Sequence, residues 1–135
     1  MTPPENGAII TWNKVFESRI LGEMGGRFRK LAPQVTAVRE RLVDLMVPFR
    51  NRDVYDWQMH GSASLKSVLP ALVTELSYDG LEIADGGTAA SAWLRMRETD
   101  DQAEPEAIIQ NLLEYCHLDT LAMVRILEWL RARVG

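Results

Sequence analysis

The run IIQNLLEYCHLDTLAMVRILEWL, residues 108–130, is the last long apolar stretch of the chain, and the architecture is read outward from it. Ile109, Leu113, Cys116, Met123, Leu127 and Leu130 recur at the three-and-four spacing of a helix with one buried stripe. Leu112, Leu118, Leu121, Val124 and Ile126 form a second stripe behind it. From Leu118 onward the helix is therefore apolar nearly all round, which predicts a helix inside the domain rather than on its surface. Asp119 sits within this apolar stretch, where a carboxylate is costly unless it is paired, hydrogen-bonded or bound to a metal. Tyr115 precedes it by one helical turn, so phenol and carboxylate share a face.

Composition narrows the class. A chain of 135 residues, 47% apolar, is long enough for one core, and one domain over residues 1–135 is expected. No apolar run approaches the roughly 20 residues of a membrane span, and no secretory signal pattern opens the chain. A cytoplasmic protein without membrane contact is the expectation. The single cysteine, Cys116, excludes an internal disulfide and is expected to pack as a small apolar residue. Zinc-type Cys/His spacing is absent.

The net charge of -4 is unevenly spread. Residues 1–66 carry 10 basic and 7 acidic side chains, and residues 67–135 carry 5 and 12. Arg27, Arg29, Lys30, Arg39, Arg41, Arg50 and Arg52 all fall in the basic half. Such clustering is either a nucleic-acid footprint or a solvated helix face, and charge alone does not choose.

Working back along the chain, residues 1–7 are rich in Pro, Gly and Asn and are expected to be loose. Ala8-Ile9-Ile10-Thr11-Trp12 is a short β-branched run, the signature of a buried strand. Asn13 is placed to cap a helix to about Met24, with Phe16, Ile20, Leu21 and Met24 inward and Gly25-Gly26 as its stop. A second helix is expected after Pro33, over residues 34–42. Val43-Asp44-Leu45-Met46-Val47 reads as a second strand halted by Pro48. Residues 50–62 read as an exposed loop. Ser64 caps a helix that Pro70 interrupts. Tyr78-Asp79-Gly80 and Asp85-Gly86-Gly87 are turn signals. Thr88 caps a helix to about Arg97 that buries Ala89, Ala92, Trp93 and Met96, the acidic residues 98–104 form a solvated link, and Pro105 opens the terminal helix.

Tyr115-Cys116-His117-Leu118-Asp119 followed by Thr120-Leu121 resembles the third motif of the DnaQ-like 3'-5' exonucleases, in the DEDDy branch that uses tyrosine beside the acid. Trp12-Asn13-Lys14-Val15-Phe16-Glu17 resembles their second motif, with Glu17 where most of the family has Asp. Ser62 to Leu72, Leu76-Ser77-Tyr78-Asp79 and Tyr115 to Val124 together look like a bacterial domain of unknown function assigned to that superfamily, in which Glu at the second motif is usual. The resemblance spans roughly residues 7–130. It implies a partial ribonuclease H-like fold of the α/β class, predominantly helical, with two short strands and about five helices and without the first three strands.

The same resemblance implies metal-dependent phosphodiester hydrolysis on single-stranded DNA or RNA, with Mg²⁺ or Mn²⁺ as cofactor. Hard cations take oxygen ligands, which accounts for carboxylates in such a site. Asp119 and Glu17 would ligate metal, Tyr115 would orient the attacking water, and Asn13, Phe16, Lys66 and His60 would contact substrate. His117 faces away from the pair and is expected at the surface. The superfamily's first motif, Asp-x-Glu, occurs nowhere in the sequence. The expectation is accordingly a catalytically incomplete portion of an exonuclease domain, inactive alone, whose strands keep unpaired edges. Two alternatives stand beside it. One is a helical interaction module that forms a homo-oligomer through those edges. The other is a purely structural Tyr115/Asp119 pair, with the acid satisfied by an arginine such as Arg125.

Overall fold

A computed structural model of the chain describes residues 6–100 and 103–135. Residues 1–5, most of the expected loose N-terminus, and residues 101–102 of the acidic link lie outside the described residues. The fold is α/β and predominantly helical, with a two-stranded parallel sheet and six α-helices among the described residues. It divides into two compact units, Met1–Val68 and Leu69–Gly135.

The first unit is a strand, a pair of helices and a returning strand. Strand β1 (Ile9–Thr11) pairs in parallel with β2 (Leu42–Asp44), Ile9 opposite Leu42 and Thr11 opposite Asp44. Parallel pairing needs a crossover, supplied here by α1 (Lys14–Arg27), a 3₁₀ turn at Arg29–Leu31 and α2 (Ala32–Glu40). The expected strand, helix, helix, strand order is present, with differences at its joints. Asn13 stands at the N-cap position in the left-handed region, at φ 74°, and its side chain caps nothing; its backbone N–H instead donates to Asp44 Oδ1 at 3.0 Å.

Gly25-Gly26 does not stop α1. Neither glycine takes a positive φ, and the helix continues to Arg27. Ser18, Gly22 and Gly25 form a small-residue stripe that lets α2 approach closely. A Cβ at Gly25 would meet Val35 Cγ1 at 3.2 Å, and one at Gly22 would meet the Arg39 guanidinium at 3.3 Å. Because α1 uses this stripe for packing, Phe16 and Met24 are exposed rather than inward, and Ile20 and Leu21 are only partly buried. Pro48 does not merely halt a strand. β2 ends at Asp44, and Pro48 sits in the first turn of a short helix α3 (Val47–Arg50), where its missing N–H costs nothing. Phe49 of α3 stacks on Trp12, ring centroids 5.5 Å apart, and the Trp12 indole donates to the Ala63 carbonyl. Residues 50–62 form a loop, as expected, anchored by the fully buried Met59 of a 3₁₀ turn at Trp57–Met59.

Helix α4 (Leu65–Leu72) carries Pro70 without interruption, its first bonds being made by Ser67 and Val68 N–H to the Ser64 carbonyl. In the second unit, Asp85 rather than Thr88 caps α5 (Gly86–Glu98). Its two oxygens accept the Thr88 N–H and hydroxyl, so Gly86 and Gly87 belong to the first turn. Trp93, expected in the core, is half exposed. Pro105 stands in the first turn of α6 (Glu104–Val134), which packs on α5 and is tied to it by an Arg95–Glu104 ion pair.

The long helix buries neither of its two candidate stripes as a whole. Ile108, Leu118, Ala122 and Ile126 are buried, whereas Ile109, Leu113, Cys116 and Val124 are exposed. Both stripes satisfy the 3.6 period, so periodicity cannot choose between them. The buried face instead joins Leu118 and Ile126 of the second stripe to Ile108 and to Ala122, whose small side chain is completely inaccessible. Among the described residues no helix is long and apolar enough to cross a membrane.

This choice of face is testable by urea denaturation. Ile126→Ala is expected to cost about 2–5 kcal/mol because it empties a filled site, while Leu113→Ala stays within about 0.5 kcal/mol of the parent.

Candidate functional site

The two units each bring together polar groups, and each group is built from a different local device. In the second unit the device is a turn. Leu81 N–H bonds back to the Tyr78 carbonyl, and Gly80 supplies the positive φ of 87° that a turn of this hand requires at its third position. This turn delivers Tyr78 to α6. Its side chain is 5% exposed, and its hydroxyl donates to Asp119 Oδ1 at 2.5 Å. Tyr115, one helical turn before Asp119, lies with its ring centroid 6.2 Å from that of Tyr78. One carboxylate is thus flanked by two phenols.

The electrostatics follow from burial beside an anion. Burial raises the Tyr78 phenol well above the ordinary tyrosine value, and its hydrogen bond to Asp119 and that residue's charge add to the effect. Tyr115 is pushed up to about 12, first by burial, then by the charge of Asp119 and hydrogen bonding to it. Both phenols are therefore neutral donors at physiological pH, which suits holding a water or an oxyanion and rules out their acting as ready bases. Among the described residues no arginine pairs with Asp119. Arg125 is bound instead to Glu75, at 3.1 Å, and Glu128, at 3.2 Å. His117 is exposed, as expected.

In the first unit the device is the end of the parallel pair. Asp44, at the C-terminal end of β2, accepts from the backbone N–H of Asn13 and of Met46, each at 3.0 Å, and from Arg50 at 3.4 Å. Glu17, in the opening turns of α1, is close enough to Asp44 to feel its charge. Its carboxyl is raised above the ordinary value, mainly by burial and further by Asp44, against a lowering by a backbone hydrogen bond. Its Oε2 is buried with no hydrogen-bond partner. A buried carboxylate oxygen without a donor is expensive, and such orphans call for an explanation.

Asn13 thus contributes its backbone, and Phe16 lies exposed under the Arg19 guanidinium at 5.4 Å. His60 is exposed, in the left-handed region and edge-on to Trp57, and Lys66 is exposed on the first turn of α4. Sequence reasoning passed over two residues. Asp44 was visible as one acid inside the apolar run Leu42-Val43-Asp44-Leu45-Met46. Tyr78 was visible as an aromatic within a turn signal, a place where aromatics need a reason.

Among the described residues no three His, Cys, Asp or Glu side chains group closely enough to hold a metal ion by themselves. Each unit holds an oxygen donor of the kind a hard divalent cation takes: in the first, Glu17 Oε2, buried with no hydrogen-bond partner, and in the second, the Asp119 carboxylate, which has no cationic partner among the described residues.

Residues 2–64 match the model of a family described as a domain of unknown function, DUF2779, and over that span the chain is similar to it. The matched span holds β1, α1, α2, β2 and α3, and with them Asn13, Glu17 and Asp44; it ends before Tyr78, Tyr115 and Asp119. No curated protein and no solved structure matches the chain.

Two outcomes check these assignments. Because the Glu17 carboxyl is raised above its unfolded value of 4.5, stability is lost as the pH rises past that value and the loss is complete above the folded value. Glu17→Gln is therefore expected to raise the denaturation midpoint at neutral pH and to change it little below the unfolded value. For the phenols, Asp119→Asn is expected to lower the titration of Tyr115 from about 12 toward the ordinary 10.0, read from phenolate absorbance. An unchanged titration would separate the pair.

Proposed function

We propose that this chain is part of a metal-dependent 3'-5' exonuclease of the DnaQ-like, ribonuclease H-like class, and that Asp119 is a metal ligand with Tyr115 as the residue that orients the attacking water. The observation that carries the reading is that Asp119 is held by phenols and, among the described residues, by no cation. A structural acid at a partly buried position is more commonly satisfied by an arginine or by helix-end N–H groups.

A bound divalent cation would supply water activation near neutral pH and stabilisation of the leaving oxyanion. The chain's own residues divide the remaining work. Tyr78 fixes one oxygen of Asp119 and so sets the direction of the other. Tyr115, kept protonated, presents a hydroxyl to a water beside the carboxylate. Glu17 offers a second acid oxygen, Oε2, that no described residue hydrogen-bonds. The Asp-x-Glu carboxylates do not occur in these 135 residues, so the reading has the chain bind metal weakly and leave a single strand uncut.

A second reading, a helical interaction module, is favoured by one observation. Ile109, Leu113 and Val124 line the solvent side of α6, and Val43 of β2 is 47% exposed. A homo-oligomer through these surfaces or through the sheet edges would cover them.

Paramagnetic broadening on adding Mn²⁺ to the isotope-labelled chain separates the two. The exonuclease reading predicts broadening at Asp119 and broadening at Glu17, each displaced by Mg²⁺, the former lost in the folded Asp119→Asn variant. A tight dimer in sedimentation with no localised broadening would overturn it in favour of the module.

A further inference from the structure

The first unit has a cleft of about 660 Å³ between the outer faces of α1, α2 and α3, reaching Asp44 and Arg50 but otherwise lined by residues given no role above. Four cationic side chains line it, Lys14, Arg19, Arg39 and Arg50, with Asp44 as its one acid. Their partners divide them. Arg50 is engaged by Asp44 at 3.4 Å, and Arg19 by Glu23 at 2.6 Å. Arg39 is held differently. Its Nε donates to the Ser18 hydroxyl at 3.0 Å, a neutral partner that fixes the guanidinium without neutralising it. Gly22 completes the seat, since a Cβ there would stand 3.3 Å from Arg39 Nη1 and 3.7 Å from Nη2. A glycine and a serine on one face of α1 thus dock a charged fork in a fixed pose, and among the described residues Lys14, on the same cleft, has no ion-pair partner.

A pre-positioned guanidinium bound through Nε leaves its terminal N–H groups for a bidentate oxyanion, the geometry by which arginine binds phosphate. The cleft is larger than a single phosphate requires, and its cations are spread along it. At its margin the exposed Phe16 ring lies beneath the Arg19 guanidinium, so an aromatic face adjoins the basic track. Spaced cations with an accessible ring are the elements of a surface that follows a single strand, the cations on the backbone and the ring against a base. The charge distribution agrees, since the excess of basic side chains falls in residues 1–66.

We propose that this cleft binds the phosphodiester backbone of a single-stranded nucleic acid, with Arg39 and Lys14 as phosphate contacts and Ser18 as the residue that positions Arg39. The inference takes its ligand class from the exonuclease reading and adds a binding track on α1 and α2 that needs no metal.

The test is fluorescence anisotropy of a labelled oligo(dT) strand with the full chain in EDTA, across a salt series. Arg39→Gln and Lys14→Gln are each expected to weaken binding several-fold and to reduce the slope of log K against log salt by about 0.7, the release expected for one phosphate contact on a single strand. Ser18→Ala weakens binding with the slope kept, since the charge remains but its pose is lost. Lys30→Gln removes the same charge outside the cleft and is expected to leave binding unchanged. Circular dichroism establishes that each variant is folded. The proposal is overturned if the parent chain does not bind, if Lys30→Gln weakens binding as much as Arg39→Gln does, or if a duplex of equal length competes as well as the single strand. Strand binding without localised Mn²⁺ broadening would uphold the cleft and sink the exonuclease reading; Mn²⁺ broadening without strand binding would do the reverse.

Discussion

The hydrogen bond from the Tyr78 hydroxyl to Asp119 is the contact around which the second unit is arranged. It joins a turn to the middle of a 31-residue helix, and both partners need it. Tyr78 is almost fully buried, and a buried hydroxyl without a partner is costly; Asp119 is a carboxylate on the flank of a helix whose neighbouring face is apolar. Leu118, Ala122 and Ile126, which flank Asp119 along α6, are buried, while Ile109 and Leu113 are left to solvent. Turn geometry and the chemistry of the acid thus meet in one contact.

The first unit depends on a different constraint. Two parallel strands cannot be joined by a hairpin, and their crossover must lie against the sheet. Here the crossover is two helices pressed together over Ser18, Gly22 and Gly25, and their closeness has consequences at both ends. At the sheet end, Glu17 is raised chiefly by burial and further by the charge of Asp44, and its Oε2 has no donor. On the outer side it seats Arg39 in the gap that a larger residue at position 22 would fill. An unsatisfied acid and an unneutralised base are both departures from what stability alone would favour, and such departures concentrate at working sites.

Local chemistry was legible wherever one residue type had one good use. The β-branched run at residues 8–12, Pro33 and Pro105 in first turns, and the short second strand were read from sequence because no competing signal existed. The reading failed where two uses competed. Gly25-Gly26 satisfies a helix stop and a helix contact equally well, and only the presence of Val35 opposite decides for contact. Residues 108–130 carry two apolar stripes at the same period, and the buried face follows neither, taking Leu118 and Ile126 from one and adding Ile108 and Ala122. Trp93 and Cys116 were assigned inward by their apolar character, yet single apolar residues are common on surfaces. The Tyr115/Asp119 pair was visible because four residues is one helical turn. Its third member, 41 residues from Asp119, could not be read from any local period.

The most direct test of this account is a double-mutant cycle on folding stability with Tyr78→Phe, Asp119→Asn and their combination. If the phenol–carboxylate bond organises the second unit, the two residues couple by about 1.5–3 kcal/mol, the range for a hydrogen bond to a charged group. A coupling indistinguishable from zero would mean that Asp119 does not depend on Tyr78. The arrangement of the turn and the acid described here would then be wrong.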